Sequence, residues 1–373
     1  MKILYDLIYL EKERHGGISN VWYQYFQKIC QNENEINFLS KKNIDNVVYR
    51  KLCKVNFFDR DVIKLRSSPF TVLDKFLSLN IVRGITLSFR IKSDVDIFHS
   101  TGFSNPFFRR KKLKIVSTIH DMVLWDQKAK MKKSISYWDY YFGTYHAIKT
   151  SDLIITISDT SKASIIKQFP SVKNKVKVIY NGLSEDFLNT RIRERKDPFF
   201  LFIGARNEYK NFNLLIESFA EFSEINSSYK LFIIGDNQNS YNKEKELYKL
   251  FKIEDKVFDL GILDTKNLIN ILTKAKCLII PSLNEGFNLP LVEGLASGCP
   301  VAALDIPINK EIGLDYVFFF KNYKSSLVDI MFEVSDKVFT MDELSDAKLY
   351  CEKFDWEESS SNLLKEYKKL ISN

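Results

Sequence analysis

The sequence predicts an α/β protein made of two halves with parallel strands. Three observations carry this. Short apolar runs alternate with amphipathic segments along the chain, which is the pattern of strand–helix–strand units. The alternation restarts after a charged stretch, 188–198, that ends in Asp197-Pro198 and reads as a linker. The length of 373 residues suits two ordinary domains, each able to bury a core without a disulfide or metal staple.

The elements follow in order. Residues 3–10 are apolar and Glu11, Lys12, Glu13 and Arg14 come directly after. A secretory signal carries its charge before the apolar run and closes on small residues. Residues 2–10 are therefore expected to form a buried first strand. Further strands are expected at 36–39, 97–99, 115–119, 153–157 and 176–179. Helices are expected at 19–30, 136–149 and 158–169, the last with Ser158 or Asp159 as N-cap. In the second half, strands at 199–203, 230–234, 257–260, 277–280 and 301–303 alternate with helices at 213–222, 243–251, 265–275 and 289–297. The chain closes on 356–370, where Trp356, Leu363, Leu364, Tyr367 and Leu370 mark one helical face. Such architectures bind ligands at the carboxyl ends of strands.

Composition narrows the classes. Hydrophobic residues at 45% and charged residues at 27% exclude a disordered or collagen-like chain. No apolar run reaches the roughly 18 residues of a spanning helix. No repeat of solenoid period and no low-complexity tract is present. The five cysteines, Cys30, Cys53, Cys277, Cys299 and Cys351, are scattered, with no CxxC and no His/Cys cluster at zinc spacing. They are expected to be plain thiols in a reducing cytoplasm. The net charge of +8 hides an asymmetry. Residues 1–185 hold 31 Lys and Arg against 17 Asp and Glu, a net of +14, and residues 186–373 hold 24 against 30, a net of −6. The densest basic runs are Arg109, Arg110, Lys111, Lys112 and Lys114, then Lys128, Lys130, Lys132 and Lys133. They fit an anionic partner or a merely lysine-rich composition.

Four segments carry candidate chemistry. Asn284-Glu285-Gly286-Phe287-Asn288-Leu289-Pro290-Leu291-Val292-Glu293 follows one expected strand and opens a helix. Pro290 suits a first turn, and the helix N-terminus offers unpaired N–H groups to a phosphate. Glu285 and Glu293 can accept from sugar or ribose hydroxyls. The second, Gly204-Ala205-Arg206-Asn207-Glu208-Tyr209-Lys210, follows the strand at 199–203. There Gly204 suits a tight turn, and Arg206 and Lys210 can converge on an anion. Gly16-Gly17 permits close backbone approach to a ligand before the helix at 19–30. Ser117-Thr118-Ile119-His120-Asp121 places a His-Asp at a strand end.

Together these segments resemble the retaining glycosyltransferases of family 4, which have the GT-B fold: two Rossmann-like domains facing across a cleft, with a C-terminal helix crossing back to the first. The resemblance covers nearly the whole chain. It runs through Gly16-Gly17, Thr118-Ile119-His120-Asp121, Ile157-Ser158, Val178-Ile179-Tyr180-Asn181-Gly182, Arg206 with Lys210, and Ile234-Gly235-Asp236, to the E-x7-E pair Glu285 and Glu293. Within the family the chain looks most like mannosyltransferase-like enzymes of surface polysaccharide assembly, such as those of O-antigen or capsule. The implied domains are 1–187 for the acceptor, 188–198 as linker, 199–353 for the nucleotide sugar, and 354–373 as the helix that packs back.

The resemblance implies a retaining, metal-independent transfer of a hexose, mannose favoured, from a nucleotide-diphosphate sugar to a glycan or lipid-linked acceptor. It implies no cofactor beyond that donor substrate. Arg206 and Lys210 would hold the diphosphate, Glu293 the ribose, and Glu285 with the Phe287–Asn288–Leu289 backbone the sugar. Gly204, Gly235, Asp236 and Gly286 would belong to the donor site. Gly16 and Gly17 would approach the donor and His120 would lie near the sugar. The family usually has Gly and Arg adjacent, whereas Ala205 intervenes here, and Asn288 stands where a Gly is common. The strings Asp59-Arg60-Asp61 and Asp94-Val95-Asp96 match the DxD of metal-dependent transferases but are read as structural. A cytoplasmic place is implied, with peripheral contact to an anionic inner membrane face and no nucleic acid. The competing readings are a nucleotide-sugar epimerase of similar fold, a silent sugar-nucleotide binder, and a basic nucleic-acid-binding protein. Against the last, no binding motif is present and the basic runs lack an aromatic stacking pattern.

Overall fold

The structure, a computed structural model, describes residues 1–12, 17–30, 35–41, 62–65, 80–122, 125, 135–206, 208–235 and 241–372. The chain divides into two compact units, Met1–Asn181 with Trp356–Asn373, and Gly182–Asp355.

The first unit is built on seven parallel strands: β1 (Lys2–Asp6), β2 (Glu35–Lys41), β3 (Val62–Leu65), β4 (Ile97–Ser100), β5 (Lys114–Ile119), β6 (Leu153–Thr156) and β7 (Val176–Val178), in the order β3-β2-β1-β4-β5-β6-β7. All four residues of β4 and of β6 are buried, as expected when helices cover both faces of a parallel sheet. The helices are α1 (Ile8–Lys12), α2 (Gly17–Ile29), α3 (Asn80–Arg90), α4 (Ile135–Thr150) and α5 (Asp159–Gln168). Ser158 caps α5, its hydroxyl accepting from Ser161 N at 3.0 Å.

The single strand expected over 2–10 is in fact a strand and a helix. β1 stops at Asp6, Leu7 N donates to Leu39 O as a last sheet bond, and α1 begins at Ile8. The buried Asp6 carboxylate lies at this junction. Arg83 Nε lies 2.8 and 2.9 Å from its two oxygens, and the same guanidinium reaches Glu11 on α1 at 2.5 and 2.8 Å. One fully buried arginine thus ties the end of β1 to α1 and to α3.

The second unit carries six parallel strands: β8 (Asp197–Ile203), β9 (Lys230–Ile234), β10 (Val257–Asp259), β11 (Ala275–Ile280), β12 (Val301–Leu304) and β13 (Val317–Phe320), in the order β10-β9-β8-β11-β12-β13. Its helices are α6 (Glu185–Leu188), α7 (Phe212–Ile225), α8 (Tyr241–Leu250), α9 (Thr265–Leu272), α10 (Leu289–Ala296), α11 (Pro307–Gly313), α12 (Lys324–Asp336) and α13 (Met341–Cys351). Phe200, Phe202, Phe219 and Phe222 fill the core between the sheet and α7. The stretch 188–198 lies inside this unit: Lys196 Nζ donates to Thr273 O and Gly298 O, and Asp197 opens β8. The last helix, α14 (Trp356–Ser372), belongs to the first unit. There Trp356 meets Tyr25 of α2 edge to face at 5.1 Å, and Glu357 pairs with Lys28 at 2.8 Å.

In each sheet the chain leaves its first strand in both directions, β1 flanked by β2 and β4, and β8 by β9 and β11. That reversal opens a crevice at the carboxyl ends of the two central strands. The loops after β8 and β11 are therefore the ones placed to hold a ligand in the second unit.

Candidate functional site

The loop after β8 is set by two glycines. Gly204 has φ +153° and Gly235, at the end of β9, has φ +135°. A Cβ on Gly235 would stand 2.4 Å from Gly204 O, so the strand ends approach too closely for any side chain. Gly204 N donates to Ile234 O, and Gly235 N to Gly261 O, each at 2.9 Å. Across the other side of β8, Leu283 N donates to Tyr209 O at 2.7 Å and joins this loop to the one after β11.

That joint brings Lys210 and Glu285 together. Nζ lies 2.6 Å from Oε1, with both side chains 13% exposed. Arg206 is not beside them. It was expected on the diphosphate with Lys210, but its Nη2 lies 2.8 Å from Asp259 Oδ2 and its Nε 3.6 Å from Glu244 Oε1. With a side chain only 2% exposed, it holds β10 and α8 to the end of β8. Ala205 lies between Gly204 and this arginine in the loop after β8.

Glu293 sits one turn inside α10. No hydrogen bond or ion pair engages its carboxylate among the described residues, and burial pushes its pKa up to about 7. Asn288 precedes the helix in left-handed geometry, φ 70° and ψ 62°, a conformation that glycine or asparagine adopts most readily. This explains how Asn fills a position where Gly is common. Its side chain does not cap the helix; Nδ2 donates to Asn309 Oδ1 at 2.8 Å, and Asn309 Nδ2 to Leu304 O at 2.9 Å. The first N–H groups of α10 are thus left without a side-chain cap. Phe287 is buried edge to face against Phe354 at 5.4 Å, so only its backbone is offered to a ligand. Gly286 and Leu289 are partly exposed.

In the first unit, Gly17 opens α2, and among the described residues no atom beyond its chain neighbours and its own helix backbone lies within 4 Å of a would-be Cβ. His120 follows β5 and is 4% exposed. Neither ring nitrogen has a hydrogen-bond partner among the described residues, Tyr9 and Trp22 meet the ring edge to face, and burial lowers its pKa to about 4. It is a neutral imidazole with unused hydrogen-bonding capacity. Gly16, Asp236, Asp59, Asp61, Lys128, Lys130, Lys132 and Lys133 lie outside the described residues. The second DxD string is engaged in folding: Lys2 Nζ lies 2.6 Å from Asp94 Oδ2, and Lys2 N donates to Asp96 Oδ2 at 2.8 Å.

Two buried clusters in the first unit have no counterpart in the sequence reading. One is Asp6–Arg83–Glu11. The other centres on Tyr367 of α14, whose hydroxyl is shared with Tyr5 at 2.9 Å and with His99 Nδ1, while His99 Nε2 meets Thr118 Oγ1 at 2.8 Å. Opposite charge at residues 6 and 83 was the available signal for the first.

Two Rossmann-like domains, each a parallel sheet reversing about its first strand, define the GT-B fold. The chain belongs to the glycosyltransferases: residues 16–187 match the Glycosyltransferase Family 4 model and residues 185–336 match Glycosyl transferases group 1. It is 30% identical over 167 residues to the O-antigen chain mannosyltransferase RfbU of Salmonella typhimurium, which covers 44% of this chain and 46% of that one. The chain thus spans under half the length of that relative. It is 28% identical to the uncharacterized glycosyltransferase MJ1178 of Methanocaldococcus jannaschii, over 68% of this chain and 70% of that one. Among solved structures, Anabaena HepE in complex with UDP and glucose superposes with a TM-score of 0.73 at 15% identity, over 98% of both chains. That likeness is one of fold.

Proposed function

We propose that the protein is a retaining hexosyltransferase, with mannose the favoured sugar. The donor is a nucleotide-diphosphate sugar, and the acceptor is a glycan or lipid-linked glycan of surface polysaccharide assembly at an anionic membrane face. The observation that carries this reading is the Lys210–Glu285 pair at the joined ends of β8 and β11, with the uncapped start of α10 following in the same loop.

A departing nucleoside diphosphate gains negative charge as the glycosidic bond breaks. Fixed donors aimed at that charge lower the barrier most. Lys210 supplies an ammonium, and the first turn of α10 supplies N–H groups and the positive end of its dipole. These replace a metal in the proposal. Glu293, unpartnered and desolvated, suits the diol of a ribose. Glu285 holds Lys210 in place and leaves an oxygen for a sugar hydroxyl. Arg206 is assigned to positioning the loop through Asp259 and Glu244, not to the phosphates. The sugar preference is supported by the likeness to RfbU.

The test is a screen of the pure protein against nucleoside-diphosphate sugars, read as thermal stabilisation and as slow donor hydrolysis. GDP-mannose is expected to give the largest response. A flat response to every common donor would sink the assignment, and a response with epimerised donor as product would replace it.

A further inference from the structure

The first unit exposes a band of aromatic rings. On α4, Trp138 and Phe142 stand one turn apart, stacked at 5.4 Å, with exposures of 40% and 48%. One further turn along, His146 stacks on Phe107 at 4.0 Å. Phe107 leads directly to Phe108, which meets Phe89 of α3 at 6.3 Å. Phe89 is 75% exposed and Phe108 67%. The basic run Arg109–Lys112 follows immediately in the chain. Arg109 is held by Asp152 at 2.6 Å, but Arg110, Lys111 and Lys112 are exposed and have no ion pair among the described residues. The site is built rather than frayed: Ser88 Oγ accepts from both Phe107 N and Phe108 N, at 2.8 and 3.0 Å, and so fixes the two rings beside the C-terminus of α3. A shallow depression next to it is lined by Lys92, Ser93, Phe108, Arg110 and Lys112.

Contiguous exposed aromatic surface of this kind marks an interaction site. Its chemistry selects the partner. Rings that enter an apolar layer, rimmed by cations that stay in water, match the interface of an anionic bilayer. A nucleic acid fits less well. Phe107 and Trp138 already stack on protein rings, and phenylalanine has no group that reads a base edge.

We propose that this face, Phe89, Phe108, Phe142 and Trp138 with Arg110, Lys111 and Lys112, docks the protein onto a membrane surface rich in anionic phospholipid. The docking locates the membrane contact of the transferase reading. Its test uses no sugar donor, so either can fail without the other.

The experiment is flotation of the full chain with phosphatidylcholine vesicles, with and without phosphatidylglycerol. Wild type is expected to float with the anionic vesicles and to be released by salt. Each cation near the surface contributes about fivefold to partitioning, so Arg110→Ser/Lys111→Ser/Lys112→Ser should weaken it roughly a hundredfold. Phe89→Ser/Phe108→Ser should abolish it with thermal unfolding unchanged. Of the four tryptophans, Trp22, Trp125 and Trp356 are buried, so a blue shift in fluorescence on binding reports Trp138 and should vanish in Trp138→Phe. Equal partitioning of wild type and the charge variant, or no flotation, overturns the proposal. So does self-association abolished by the phenylalanine variant without vesicle binding, which would make a second copy the occupant. Salt-sensitive oligonucleotide binding lost in the charge variant, without vesicle binding, overturns it in favour of a nucleic acid.

Discussion

Lys210 Nζ and Glu285 Oε1 stand 2.6 Å apart at the meeting of the loops after β8 and β11. An ammonium already paired with a carboxylate is held in place before a ligand arrives. Under the transferase reading, Lys210→Ala removes a fixed cation from the leaving group. Its kcat/KM should fall about 10²–10³-fold, the range for losing one preorganised donor. Glu285→Gln should also fall, and the double variant should be little worse than the worse single one, because the two act as a unit. Steady-state kinetics with the donor that stabilises wild type checks this. Purely additive losses would mean that the pair is not one device.

Arg206 leads to the opposite expectation. Its guanidinium is buried between Asp259 and Glu244. Removing it leaves two carboxylates short of a partner, and breaking such a buried pair costs about 3–5 kcal/mol. Arg206→Ala should therefore lower the melting temperature clearly, while the surviving folded fraction keeps its donor affinity. A variant as stable as wild type but unable to bind donor would return Arg206 to the phosphate site.

The contrast between these two cations shows what was legible in the sequence. Glu285 and Glu293 could be read because a strand, a loop and a helix in uninterrupted order fix where each falls. Lys210 could be read from its place after a strand. What could not be read is contact between separate elements: Arg206 meets Asp259 of β10, 53 residues away, and Lys210 meets Glu285 after β11, 75 residues away. The end of β1 was hidden for a similar reason. Ile8 and Leu10 are as buried in α1 as they would be in a strand, so apolar character over 3–10 did not distinguish the two. The helix carrying Arg83 was hidden by Gly84 and its β-branched neighbours, which are weak helix formers. Gly84 is there because a Cβ would stand 2.4 Å from Asn105 O.

The glycine pair of the second unit makes a sharper structural prediction. Gly235→Ala combines a φ of +135° with a Cβ placed 2.4 Å from Gly204 O. Strain of this kind, together with the overlap, should cost about 2–4 kcal/mol and lower the melting temperature by several degrees. Gly17→Ala meets open space among the described residues and should leave unfolding unchanged. If it also abolishes activity, the role of Gly17 lies with a ligand and not with the fold. Differential scanning calorimetry on both variants separates the cases.

Acidification should act on the two units with opposite sign. In the first, burial lowers His99 to about 3, with His120 nearby adding to the effect, and burial lowers His120 to about 4. The unfolded chain titrates both near 6.5, so it binds more protons than the folded one between that value and 4. Stability contributed by the neutral rings is present above pH 6.5 and is lost as pH falls. Glu293 behaves in the reverse way. Desolvation holds it near 7 in the fold against an ordinary value of 4.5, so the folded chain binds the extra proton. Its charged form costs stability above pH 7, on the order of 2 kcal/mol once partial exposure is allowed for, and that cost disappears as pH falls toward 4.5. Glu293→Gln should therefore raise stability at pH 8 and match wild type near pH 5. Hydrogen exchange followed by mass spectrometry, resolved between residues 1–181 and 182–355 at pH 8, 6.5 and 5, reads both trends in one experiment. Donor binding supplies a further readout: a ribose diol donating to Glu293 favours the carboxylate, so binding near pH 7 should release a fraction of a proton. Calorimetric titration in buffers of different ionisation enthalpy measures that fraction. A binding enthalpy identical in every buffer would show that the donor does not reach Glu293.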